Sequence, residues 1–201
     1  MRNALIVAGI VVLLVAGYVG WTQYGGKLMQ RSAPTSRPVE PATVTYATST
    51  FSISYPNNFT VDDSYAYTQF EGKPIAGVKF EIPLSVTEGA NLSPDSGVSV
   101  EWLPRAVRCT GDIYVPADVR AMNLTVGSST YSVATTTGAA AGNMYEETVY
   151  AIEGSKPCTA VRYFIHSSNV ANYDPGTVEE FDRTKLLSEF DKIRDSLILA
   201  H

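Results

Sequence analysis

The hydrophobic rhythm of the chain changes three times. From Ala4 to Trp21 it reads ALIVAGIVVLLVAGYVGW, 18 residues without a charge or a strongly polar side chain. At about 1.5 Å per residue such a helix is roughly 27 Å long, close to the hydrocarbon thickness of a bilayer. Tyr18, Trp21 and Tyr24 fall where an aromatic belt sits. Residues 4–21 are therefore expected to cross a membrane. Val15-Ala16-Gly17 offers a small-residue cleavage site, but the apolar run continues past it. An uncleaved anchor over residues 1–21 is expected in preference to a cleaved secretory signal. Residues 22–43 then lose all periodicity and carry Gly25, Gly26, Pro34, Pro38 and Pro41, which predicts an extended, semi-rigid linker.

From Val44 the period becomes two, the period of strands. Phe51-Ser-Ile53-Ser-Tyr55 alternates, Pro56-Asn57-Asn58 supplies a turn, and Phe59-Thr-Val61 resumes. Val78-Lys-Phe80-Glu-Ile82 alternates up to Pro83, residues 84–97 read as a loop, and Val98-Ser-Val100-Glu-Trp102 alternates again. Thr130 to Thr135 and Tyr145 to Ile152 predict strands around the small-residue stretch Gly138–Gly142. Cys158 to His166, CTAVRYFIH, is apolar at nearly every position, the pattern of a central strand covered on both faces.

Near the C-terminus the period changes to 3.6. Val178, Phe181, Leu186, Leu187, Phe190, Ile193 and Leu197 form one stripe, with charged residues opposite. Asp174-Pro175 and the capping box Thr177-x-x-Glu180 predict where this amphipathic helix starts. A short edge strand over Ser196 to Leu199 and a weaker helix over Ala117 to Asn123 are also expected. Residues 44–201 thus predict an α+β fold, an antiparallel sheet with packed helices.

Charge changes the picture by exclusion. Residues 1–42 carry Arg2, Lys27, Arg31 and Arg37 against Glu40, a net +3; the remaining chain carries 11 Lys and Arg against 19 Asp and Glu, a net −8. An acidic domain repels phosphate backbones, so nucleic acid is not an expected partner. Two histidines and two cysteines leave no material for a zinc finger or a di-histidine centre, and no metal or cofactor is expected. Cys109 and Cys158, 49 residues apart, are instead expected to form one disulfide. A loop of that size contributes about 4 kcal/mol in the chain-entropy model, less any strain. Disulfides persist outside the reducing cytosol. The expected location is therefore a membrane crossed once, with the C-terminal domain on the extracytoplasmic side; the resemblance given below implies that this is a bacterial cytoplasmic membrane.

Candidate chemistry is sparse. There is no G-x-S-x-G, P-loop or G-x-G-x-x-G, and His166 is the one histidine away from the chain end. The connection after the central strand gathers His166, Asn169, Asn172, Tyr173 and Asp174 within nine residues. These five are the candidate binding residues. The structural alternative gives them to the chain itself, with Asp174 capping the last helix and Asn172 holding the turn. Three glycosylation sequons start at Asn58, Asn91 and Asn123.

The run Phe51-Ser-Ile53-Ser-Tyr55-Pro56-Asn57-Asn58-Phe59-Thr-Val61 resembles the first hairpin of PsbP-like domains. The ending Phe190-Asp-Lys-Ile193-Arg-Asp-Ser196-Leu197 resembles the closing helix and strand of that family. Gly138–Gly142, Tyr145, Cys158, His166 and Asn172-Tyr173-Asp174-Pro175 also resemble membrane-anchored bacterial envelope proteins that carry no established activity. The PsbP resemblance implies a non-catalytic accessory domain that binds a protein partner. A small-molecule or glycan binder is the alternative, to be recognised by a deep pocket with Trp102, tyrosines and carboxylates. A hydrolase built on two facing carboxylates stands third.

Overall fold

The computed structural model describes residues 41–200. The expected anchor and most of the linker lie outside the described residues, among which no helix is long and apolar enough to cross a membrane. A small sheet joins β1 (Thr43–Ala47), β2 (Phe51–Pro56) and β11 (Ile198–Leu199) in the order β1-β2-β11. The large sheet takes β3 (Thr60–Asp62), β5 (Ile75–Glu81), β6 (Gly97–Leu103), β10 (Cys158–Ser168), β9 (Asn143–Ile152), β8 (Ser129–Ala140) and β7 (Met122–Val126) in that order. β4 (Ala66–Tyr67) also pairs with β5. The helices are a single turn, α1 (Leu84–Thr87), and the longer α2 (Arg183–Asp195). The fold is α+β and dominated by antiparallel sheet.

β10 lies in the middle of the large sheet, as its apolar run predicts, and successive side chains alternate between two buried faces. Val161, Tyr163 and Ile165 join Val78, Phe80, Val98 and Val100 under Leu186, Phe190 and Ile193 of α2 and Phe51 and Ile53 of the small sheet. On the other face Ala160 and Cys158 meet Val149, Ala151, Tyr67, Tyr114 and Val115. Apolar burial on both faces is the main source of stability.

Three expectations are corrected. The 51–61 run is not a hairpin: β2 is paired by β1 on one side and β11 on the other, so β3 crosses to the large sheet and pairs with β5. The last helix starts at Arg183, not near Asp174, because Asp182 caps it by accepting the Lys185 N–H at 2.9 Å. Residues 177–182 spend their backbone on the preceding loop, with Glu179 N–H donating to Gly89 O and Asn91 N–H to Glu179 O. Tertiary pairing overrides the local capping signal. The weak helix expected at 117–123 is irregular chain leading into β7, whose two-residue turn to β8 uses Gly127 at φ 58°.

The β8–β9 hairpin turns on Ala141 and Gly142, both at positive φ. Asn172 packs against that turn so closely that a Cβ on Gly142 would lie 2.6 Å from its amide nitrogen. The small-residue stretch is thus the tip of an arm pinned by the 169–172 connection.

Candidate functional site

The register places an ion cluster on the large sheet. Arg162 lies opposite Ser99 on β6 and Val149 on β9, so Glu101 and Glu147 are its diagonal neighbours on the same face. Arg162 Nε and Nη2 donate to Glu101 Oε1 and Oε2 at 2.7 and 2.8 Å, and Nη2 also donates to Tyr114 O at 2.7 Å. Nη1 donates to Glu147 Oε2. Tyr67 covers the guanidinium, its ring centroid 3.6 Å from Cζ, and donates its hydroxyl to Glu147 at 3.0 Å. Burial opposes the Arg162 charge, but bonding and attraction from Glu101 and Glu147 outweigh it and hold the pKa above its ordinary value. Both carboxylates are acceptors already used by one cation. They face each other through Arg162, so this pair offers no free acid for hydrolysis.

His166 lies two pairs further along the same face. Its Nδ1 contacts Asp95 Oδ1 at 2.9 Å, and its ring stacks on Tyr145 at 4.5 Å. Nε2 is buried and has no hydrogen-bond partner among the described residues. The backbone of His166 is tied to the 91–97 loop through Ser93 N–H and the Ser96 hydroxyl.

The other candidates turn to separate partners. Asn169 caps a short 3₁₀ turn by accepting from Ala171 N–H, Asn172 Nδ2 donates to Gly142 O at 3.2 Å, and Tyr173 bonds Ser168 through its hydroxyl at 2.8 Å. Asp174 contributes its carbonyl, which accepts from the Thr177 N–H and hydroxyl. It does not cap α2. The five residues lie along one connection but are not gathered around a common cavity.

The sequence reading missed two features. The first is the Glu101–Arg162–Glu147 cluster, signalled by an arginine in the most apolar strand beside a glutamate in another alternating strand. The second is the chemical contrast between the ends of the large sheet. Where β6 ends and β10 begins, Cys109 and Cys158 are joined by a disulfide. Beside it an open depression of about 840 Å³ is lined by Lys73, Arg105, Arg108, Val107, Leu103 and Ile113, among others. At the opposite end a groove of about 400 Å³ is rimmed by Glu88, Glu179, Glu180, Asp182 and Glu189 over Leu92 and Phe181. Among the described residues no group of three or more His, Cys, Asp or Glu is arranged to hold a metal.

Comparison with known proteins adds little. No family model and no curated protein matches the chain. Among solved structures it is similar to a protein of Bacteroides thetaiotaomicron, with 10% identity and a TM-score of 0.43 over 81% of this chain and 49% of that one. This chain therefore spans about half the length of that relative. It is also similar to the solution structure of PsbP (CyanoP) from the cyanobacterium Synechocystis, with 12% identity and a TM-score of 0.30 over 85% of this chain and 99% of that one. The PsbP resemblance recurs here. Superpositions this loose carry no argument about site or function.

Proposed function

We propose that this chain is a single-pass membrane protein whose extracytoplasmic domain works by binding a protein partner of the cell envelope rather than by catalysis. The observation that carries the reading is the edge of the large sheet. β7 ends the strand order, so the backbone groups on its outer side have no strand partner among the described residues. Its sequence, Met-Asn-Leu-Thr-Val, has no charge and no proline, the devices that normally protect an edge. Met122 is 72% and Leu124 42% exposed. Such an edge suits an added strand: an extended, uncharged segment of the partner bonds to the outer backbone and packs apolar side chains on Met122 and Leu124.

Two further observations support the reading. The disulfide suits an oxidising compartment, and the buried carboxylates Glu101 and Glu147 are already engaged by Arg162. The depression containing Trp102, about 670 Å³, is lined by neither tyrosine nor carboxylate, which gives the glycan-binding alternative little support. The test is a photo-crosslinking residue placed at Leu124 or at Tyr173 in the full chain in its native membrane. A discrete crosslinked protein from position 124 is expected. Crosslinking from 173 alone moves the site to the connection, and none from either position overturns the reading.

A further inference from the structure

The disulfide end holds unused charge. Lys73, Arg105 and Arg108 are exposed, and their side chains make no hydrogen bond or ion pair among the described residues. Several other cations are matched: Lys79 with Glu81, Arg162 with two glutamates, Arg183 with Glu146, Arg194 with Asp191 and Asp195; Arg120 and Lys185 are also exposed without an ion pair, but each stands alone rather than in a cluster of three. Val107, between the two arginines, is 100% exposed. The adjoining depression adds the half-buried Trp102 and the exposed Lys156. An exposed apolar tip flanked by cations, with a tryptophan beside it, has the composition of a surface that dips into a headgroup layer. The disulfide fixes this loop to β10 at Cys109.

We infer that this end of the domain docks on an anionic phospholipid surface, with Lys73, Arg105 and Arg108 on the phosphates and Val107 entering the interface. A domain with net charge −8 is repelled by such a surface as a whole, so the range of the repulsion decides. β10 has 11 residues, about 36 Å at roughly 3.3 Å each, and it separates this end from the acidic groove. The Debye length at physiological salt is about 8 Å, so the distant carboxylates are screened while the three cations are in contact. Glu71, two residues before Lys73, Asp112, next to Ile113, and Glu153, beside Lys156, are the nearby carboxylates that offset part of this advantage. A soluble phosphate suits the site less well, because the wall between the cations is apolar and supplies few converging donors.

The inference does not depend on the partner reading, and its test contains no partner. The full chain carries Val107→Cys with a polarity-sensitive dye and is placed in nanodiscs of phosphatidylcholine alone or with one third phosphatidylglycerol. A blue shift and quenching by bromolipid are expected only in the anionic discs, weakening with salt. Each lost cation lowers the docked-to-free ratio by about fivefold, so Arg105→Glu with Arg108→Glu should reduce it at least about 25-fold. Inorganic phosphate should not compete at millimolar concentration. Equal signals in both lipids, or a signal indifferent to the charge reversals and to salt, would overturn the inference. Competition by phosphate would replace the surface with a soluble anion.

Discussion

The interior of this domain and the end where residues 89–91 meet residues 168–181 differ from its disulfide end in how polar groups are used. Around Arg162, Asn91 and His166 nearly every charge and amide is matched: Asn91 donates to Ser168 O at 2.7 Å and accepts Phe181 N–H at 2.9 Å. At the disulfide end, and along β7, cations, backbone groups and apolar side chains are left over. Groups already matched hold the fold; groups left over are available for recognition.

The largest effect expected comes from pH. Tyr65, Tyr67, Tyr114 and Tyr163 are all held above the ordinary phenol value of 10.0, first of all by burial. Above that value the unfolded chain loses these protons while the folded chain keeps them, so their contribution is full below it and disappears as pH rises. Cooperative unfolding above pH 10 is expected, with tyrosinate absorbance and circular dichroism changing together. Titration of these phenols with the sheet intact would contradict the matched interior.

Removing Arg162 comes next. Arg162→Ala leaves Glu101, which is 0% exposed, as an unpaired buried charge, at a cost of about 3–5 kcal/mol in chemical denaturation. Replacing Glu101, Glu147 and Arg162 together by apolar residues should recover most of that loss, since desolvating the cluster is itself costly. Asn91→Ala removes the partner of the half-buried Ser168 carbonyl and Phe181 N–H and should cost about 2 kcal/mol. Because Asn91 is buried and engaged, its sequon is closed in the folded domain, whereas Asn58 and Asn123 are exposed. Smallest is the cap: Asp182→Ala should cost about 1 kcal/mol and Asp174→Ala less than about 0.5. The reverse order would return the helix start to Asp174.

Much of the fold was legible in the sequence because strand period and burial agree. Val98–Trp102, Val78–Ile82 and Cys158–His166 fall on the observed strands with the correct faces inward, and the two cysteines meet. The helix start was misread because Thr177-x-x-Glu180 is a valid local signal that loses to hydrogen bonds from residues 89–91, roughly ninety positions earlier. The partner of β3 was misread for the same reason, since β11, which occupies the free side of β2, comes from the far end of the chain. The candidate site was less legible. Alternation places Arg162 and His166 on one face, but only strand register shows that Glu101 and Glu147 flank the arginine. The unpaired cations follow from what is absent around them, which sequence does not encode locally.

That stability and partner binding reside in different residues is tested most directly by one paired measurement. Melting temperature and capture from native membranes are read on two full-length variants, Met122→Lys/Leu124→Lys and Asn91→Ala. The edge variant should melt within about 2 °C of the unaltered chain, because its side chains are exposed, and should lose the partner. Asn91→Ala should melt about 4–8 °C lower and retain the partner below its transition. An edge variant that keeps the partner, or an Asn91→Ala protein that loses it while folded, would contradict the separation.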